Sequence, residues 1–376
     1  MKLIILQNKL KQGLNIIERV SSKSFTLPIL RNLLLKAEKN FLLLAATDLE
    51  IGIKWWVLSK IEKEGEVTVP SSILSTFISL LPEKPVELTA HNQILSVECE
   101  GYKTKIKGQS SEDFPIIPEI SEGISFSLDS YSFCQALNQI VDIALPSTVK
   151  PEISGIHFLI QKDLIKMAAT DSFRLGEKTL FLKKPLTIEK EISLILPQKT
   201  AKEIINIFGE KQGEIKILVN PNQILFESTM SETPHPEIHL TSKLIEGEYP
   251  NYQEIIPKKY ETQVILDKQE FLNQIKAASL FSGKINEVKF KIDPKKEIVE
   301  ISSQNPETGE YHSLLSGKTK GKEEEISFNY RFLNSGLLNI KSSEVIFELN
   351  GEVGPGVLKP VGDESYIYVA MPIKGT

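Results

Sequence analysis

Apolar and polar positions alternate along this chain with two different periods, and the two periods take turns. Runs such as Lys2–Leu6, Ser125–Leu128 and Ile51–Leu58 place apolar residues on one face, as a half-buried strand requires. Between the strand runs lie stretches with helical spacing. Leu10, Leu14 and Ile17 form one anchor set, Phe133, Leu137 and Ile140 a second, and Phe271, Ile275 and Ala278 a third. A further helical set counts from Pro70, Pro197 and Asn329. Its stripes are Leu74, Phe77, Ile78 and Leu81; then Ala201, Ile204, Ile205 and Phe208; then Leu333, Gly336, Leu337 and Ile340. Each stripe covers one side of about three helical turns, so only that side can be buried. Strands are predicted around Leu33–Ala37, Phe41–Ala45, Val86–Leu88, Ile94–Glu98, Lys103–Lys107, Glu214–Leu218, Ile285–Phe290, Val345–Leu349 and Tyr366–Met371.

The alternation is itself repeated. The anchors Leu10, Leu14 and Ile17 return as Phe133, Leu137 and Ile140, and the segment Ile29–Leu35 returns as Glu152–Phe158. "AATD" at Ala45–Asp48 returns at Ala168–Asp171, and every one of these pairs is 123 positions apart (48 to 171). A third, weaker copy carries the anchors Phe271, Ile275 and Ala278. A repeat this long sets the architecture before any local assignment does. It predicts an α+β fold of three similar domains, each of two helix-plus-antiparallel-strand units, with each one-sided helix lying against a sheet. Proline removes a ladder donor, so Asp113–Pro118 and Glu248–Pro257 suit extended connections. The expected domains are therefore 1–120, 121–255 and 256–376. Asp129 and Asp267 stand just before their helical runs and are predicted caps; the first copy has no such residue.

Composition changes this picture in two ways. The 376 residues hold 44 Lys+Arg against 49 Asp+Glu, a formal charge of −5. A protein that grips DNA through its phosphates carries a basic footprint, so a nucleic-acid role here needs a local basic surface or retention by something other than affinity. No apolar run is long enough to span a bilayer, and the start Met1-Lys2-Leu3-Ile4-Ile5 turns polar too soon for a signal peptide. Cys99 and Cys134 lie far apart and outside any metal spacing, which reads as buried thiols in a reducing compartment. A cytoplasmic location is expected, with no membrane partner.

Candidate chemistry is sparse. Gly317-Lys318 and Gly321-Lys322 lack phosphate-loop spacing and read as a charged hairpin, and no G-x-S-x-G elbow occurs. His235 and His239 are four apart, but Pro236 breaks the helix a zinc pair would need, so a solvated hairpin loop is expected there. Asp48 and Asp171 occupy equivalent positions of two copies, which argues for a shared strand-to-turn role and against paired acid–base catalysis. No catalytic residue, metal or cofactor is predicted. Lys9, Lys11 and Arg19, then Lys199 and Lys202, then Arg331 and Lys341, fall on expected polar helix faces or nearby turns. Together they suggest a weakly positive surface lined by helices.

Several motifs point further. "TLPIL" (Thr26–Leu30), "NLLL" (Asn32–Leu35), "TDLE" (Thr47–Glu50), "EDFP" (Glu112–Pro115), "ATDSFRL" (Ala169–Leu175), "TSKLIEGEYPNY" (Thr241–Tyr252) and "VLKPVGDESYIYVAMPI" (Val357–Ile373) occur in this order. Over the whole length the chain resembles the bacterial DNA polymerase III β subunit family of sliding clamps. The resemblance implies a non-catalytic processivity factor: a head-to-tail homodimeric ring around duplex DNA, its central hole lined by helices. Topology rather than affinity would then retain the DNA, which suits the acidic net charge. The implied DNA-facing residues are Lys9, Lys11, Arg19, Lys23, Lys150, Lys199 and Lys202, touching phosphate without reading bases. Lys23 and Lys150 stand where family members commonly carry arginine.

The resemblance also implies an apolar pocket for short peptides of the replicative polymerase, the clamp loader and other clamp-binding-motif proteins. Its walls would be Ile153, Thr170, Ser172, Phe173, Arg174 and Leu175, with Pro250 and Ile255 from the connecting segment. Val353, Val369, Met371, Pro372 and Ile373 would complete it. The dimer interface would join the strand near Ile106 to the helix end around Leu280 and Phe281. A second reading stays open at this point: a repeat-built peptide-binding scaffold without a DNA role.

Overall fold

The computed structural model describes residues 1–21 and 27–374. Among the described residues each helical stripe forms one α-helix: α1 (Gln7–Ile17), α2 (Ser71–Ser79), α3 (Ser130–Asn138), α4 (Gln198–Phe208), α5 (Lys268–Ser279) and α6 (Tyr330–Asn339). The expected caps form. Asp129 Oδ1 accepts from the Ser132 amide at 2.9 Å, and Asp267 Oδ1 accepts from the Glu270 amide at 2.7 Å. Helix α6 adds a third cap, Asn329 Oδ1 to the Arg331 amide at 3.0 Å, whereas α1 starts from Leu6 with no side-chain cap. The anchors Leu10, Leu14, Ile17, Phe271, Ile275 and Ala278 are fully buried.

The chain folds as two compact units, Met1–Ser132 with Glu203–Leu244 and Phe133–Lys202 with Ile245–Thr376. In the first unit a five-stranded sheet runs Lys60–Lys63, Lys2–Leu6, Pro85–His91, Ile94–Cys99, Tyr102–Lys107 in spatial order. An eight-stranded sheet runs Ile124–Asp129, Glu214–Val219, Gln223–Thr229, Pro236–Lys243, Ile51–Leu58, Phe41–Thr47, Asn32–Glu38, Gly65–Pro70. Helix α1 packs beside α2 and against Ile51–Leu58. Gly13 lets α1 approach closely, because a Cβ there would overlap the fully buried Trp55 ring.

The second unit repeats this plan. Its nine-stranded sheet runs Ile192–Pro197, Gly155–Ile160, Leu164–Thr170, Arg174–Phe181, Tyr366–Ala370, Gly356–Pro360, Glu344–Leu349, Thr262–Asp267, Lys318–Gly321. A four-stranded sheet runs Gly309–Ser316, Ile298–Asn305, Glu287–Asp293, Glu324–Asn329. Between them Phe271, Phe290, Phe328 and Phe347 form an aromatic core with ring centroids 5.7–6.1 Å apart.

One feature sharpens the sequence reading and one departs from it. Strands of neighbouring repeats share sheets: Pro236–Lys243 pairs antiparallel with Ile51–Leu58, and Tyr366–Ala370 pairs with Arg174–Phe181. Each pairing removes a row of unpaired amides and carbonyls that a separate sheet would leave at its edge. The departure is local. His239 lies within a strand, its Nε2 2.8 Å from Glu227 Oε2 and its ring edge-on to Trp56 at 4.8 Å, so this stretch is sheet rather than solvated loop.

Candidate functional site

One turn is written twice. Asp48 Oδ1 accepts from the amides of Glu50 and Ile51 at 3.0 and 2.7 Å; Asp171 Oδ1 accepts from those of Phe173 and Arg174, both at 3.0 Å. Thr47 Oγ1 donates to the Ile51 carbonyl and Thr170 Oγ1 to the Arg174 carbonyl, each at 2.8 Å. Leu49 and Ser172 share a positive φ of 76°, a left-handed position the surrounding hydrogen bonds hold in place. The two aspartates are turn-formers, as their spacing predicts.

In the second unit this turn carries an apolar groove. Leu175 sits opposite Val369 across the strand pair, and both are buried with Ala168, Val357 and Tyr252. The Met371 amide donates to the Phe173 carbonyl at 2.8 Å, which brings the chain's closing segment onto the turn. Around this buried floor, apolar side chains stay open to solvent: Phe173 is 61% exposed, Ile255 47% and Met371 37%. Ile153 is buried, Thr170 and Arg174 are half-buried, and Pro250 and Ser172 are exposed. Val353 is exposed in the turn before Gly356–Pro360, and Pro372 is half-buried. The Ile373 amide donates to the Ser327 carbonyl at 2.8 Å.

Arg174 fixes one wall. Its Nε donates to Asp171 Oδ2 at 2.8 Å, a second guanidinium nitrogen reaches the Asp142 carbonyl at 3.1 Å, and the group lies 5.3 Å over the Phe332 ring. Burial works against its charge, but Tyr368 and then Asp171 outweigh this and raise the guanidinium pKa. Phe332 also stacks on Phe173 with centroids 6.3 Å apart. The sequence reading missed Phe332; its signal was an aromatic in the first turn of α6 standing off the Leu333–Leu337 stripe.

Beneath the connecting segment, the Tyr252 hydroxyl donates to the buried carboxylate of Glu177 at 2.7 Å. Burial, and then Glu177, raise the Tyr252 pKa far above the phenol range, so it remains a donor. Tyr249 stacks on His157 at 5.0 Å, and burial lowers the His157 pKa. These aromatic contacts hold residues 249–252 flat against the sheet.

The basic residues expected on helices are exposed where described. Lys9 and Lys11 lie on the polar face of α1, Arg19 just beyond its end, and Lys199 and Lys202 on α4. Lys9 Nζ is 3.8 Å from Glu232 and Lys202 Nζ 2.9 Å from Asp142, so each charge is partly shared. Lys150 is exposed ahead of the short helix Pro151–Ser154; Lys23 lies outside the described residues. Ile106 is buried within Tyr102–Lys107, an edge strand, so this strand would present its backbone and its exposed Lys103, Lys105 and Lys107 rather than Ile106 itself. Leu280 is 73% exposed, and Phe281 stacks on Tyr311 at 6.3 Å. Among the described residues no group of three metal-ligating side chains occurs, and no helix is long and apolar enough to cross a membrane.

Comparison with known proteins follows the same repeat. Profiles of the DNA polymerase III beta subunit match end to end: the N-terminal domain at residues 1–118, the central domain at 127–251 and the C-terminal domain at 253–374. The chain is 27% identical to the beta sliding clamp of Staphylococcus aureus over 93% of each chain. It is 26% identical to that of Synechococcus elongatus over 100% of this chain and 99% of that one. Among solved structures it is similar to the DNA polymerase sliding clamp of Bacillus subtilis (TM-score 0.93, 23% identity) and to a clamp of Pseudomonas aeruginosa bound to griselimycin (TM-score 0.92, 23% identity). Each comparison covers the whole of both chains. With its three repeats matched in order over nearly their full length, the chain belongs to the DNA polymerase III beta subunit family.

Proposed function

We infer that this chain is a DNA sliding clamp, a non-catalytic processivity factor of DNA replication, working in the cytoplasm as three clamp domains spanning 1–120, 121–255 and 256–376. The observation that carries the reading is the pattern of sheet edges. Two neighbouring repeats are joined by the pairing of Pro236–Lys243 with Ile51–Leu58, and two by that of Tyr366–Ala370 with Arg174–Phe181. Among the strands that end the four sheets, the first repeat presents Tyr102–Lys107 with its exposed lysines and the third presents Gly309–Ser316 with exposed Glu310, His312 and Leu314. A second chain, placed head to tail, satisfies both and closes a ring. Exposed Leu280 and Leu314, with half-buried Phe281, supply the apolar part of that interface.

Duplex DNA threads the ring and is kept by topology. Lys9, Lys11, Arg19, Lys23, Lys150, Lys199 and Lys202 contact phosphates loosely, without base readout, so the ring slides. The groove around Leu175, Val369 and Met371 tethers the replicative polymerase, the clamp loader and other clamp-binding-motif proteins by short apolar peptides. Methionine and exposed aliphatics adapt to several peptides at one site. Relatives named as sliding clamps favour this reading over a scaffold without a DNA role.

Loading onto a nicked circular plasmid, followed by linearisation, tests the reading. The protein should stay on the circle through a high-salt wash and leave once the DNA has ends. Equal retention on both forms, or a purely monomeric species at micromolar concentration, would refute it.

A further inference from the structure

We infer that the first unit carries a sealed twin of the peptide groove, and that Ile117 together with the Glu50–Lys243 ion pair confines partner peptides to the second unit. The inference rests on the reading of the groove at Leu175 and Met371 as the peptide site.

The twin is defined by backbone. The turn at Thr47–Ile51 reproduces the one at Thr170–Arg174 hydrogen bond for hydrogen bond. The strand pairing continues the match: Gly52 faces Thr241 where Leu175 faces Val369. The Lys243 amide donates to the Glu50 carbonyl at 3.0 Å, as the Met371 amide does to Phe173. Even the connecting segments correspond, since Phe114 and Ile117 pack on Ala45 as Tyr252 packs on Ala168.

The side chains at these matched positions differ in one direction. Exposed Phe173 becomes Glu50 and Met371 becomes Lys243, and the two charges pair at 3.2 Å. An apolar peptide laid there would strip water from both charges and return no hydrogen bond. Leu175 becomes Gly52, and the vacated volume is taken by Ile117, whose Cγ2 lies 2.5 Å from where a Gly52 Cβ would stand. The connecting segment thus seats its own apolar side chain where a partner's would go. Exposure differs at one matched position of the connecting segments: Ile255 is 47% exposed at the open site and Ile120 9% at the closed one, whereas Ile117 is buried like Tyr252. Two joints share one backbone; the first still exposes Leu49 and Ile116, but the place that Leu175 occupies in the second is filled there by Ile117.

Thiol labelling of the full-length protein tests this at two matched exposed positions, Met371→Cys and Lys243→Cys. The probe is a synthetic extended octapeptide with leucine and phenylalanine near its carboxyl end. Saturating peptide should slow labelling at position 371 by about tenfold or more and leave position 243 unchanged. Protection at 243 equal to that at 371 overturns the inference while leaving the peptide reading standing. Protection at neither position overturns the peptide reading and the inference with it. In a second arm, the triple variant Glu50→Phe, Ile117→Ala, Lys243→Met should raise peptide stoichiometry from one to two per chain. A variant with an unchanged melting curve that still binds one peptide also overturns the inference. Should the triple variant fail to fold, the labelling arm decides alone.

Discussion

The Tyr252 hydroxyl and the Glu177 carboxylate form a buried 2.7 Å hydrogen bond that ties the connecting segment to the strand Arg174–Phe181. The bond lies directly under the groove floor, because Tyr252 also packs on Leu175 and Val369. Tyr252→Phe keeps the ring but leaves a buried carboxylate short of a donor. It should cost about 1–3 kcal/mol in urea unfolding. A cost near zero would mean that Glu177 finds another donor.

Met371 is half-open and contributes little to the core, so Met371→Ala should act on binding and hardly on folding. Peptide affinity should fall by about 1–2 kcal/mol while the melting temperature stays within about 1 °C. Fluorescence anisotropy with a labelled clamp-binding peptide measures the first and calorimetry the second. Unchanged affinity would remove Met371 from the groove.

Stability should fall on mild acidification. Burial lowers the pKa of His157 in the folded protein, beneath the stacked Tyr249 and with its Nε2 3.0 Å from Ser193 Oγ. His239 shifts the same way, chiefly through burial and partly offset by Glu227. The folded state therefore binds fewer protons than the unfolded chain, whose histidines titrate near pH 6.5. The stabilising contribution is complete above that value and is lost as pH drops toward the folded pKa. Melting curves from about pH 7.5 to 5 should show this decline, and His157→Gln should flatten part of it. An identical slope in the variant would contradict the assignment.

Gly13→Ala separates propensity from packing. On an exposed helix face alanine gains about 0.5–1 kcal/mol over glycine. Here the new methyl would meet the Trp55 ring, so the change should instead cost about 1–3 kcal/mol. Gly336→Ala, which faces Tyr368 from α6, should behave alike. A gain in melting temperature for either would show that the aromatic ring moves aside.

Much of the helix layer was legible because its determinants are local. The stripes Leu74–Leu81 and Leu333–Ile340, and the caps Asp129 and Asp267, depend on residues within one or two turns of each other. The aspartate turns were legible for another reason, since a repeated "AATD" exposes a shared structural demand that a single copy would hide. The contact of Phe332 with Phe173 and Arg174 was not legible, because it joins segments far apart in sequence and leaves no periodic trace. Which strands join neighbouring repeats, and in what register, was not legible for the same reason.

By itself the amino-acid order determined the repeat, the one-sided helices, the turn chemistry and the family motifs, all of which rest on short-range periodicity and hydrogen bonding. What closes the first joint was decided only by the tertiary structure. That outcome depends on whether Ile117 reaches Gly52 and whether Lys243 meets Glu50, contacts between segments that nothing in their local sequence brings together.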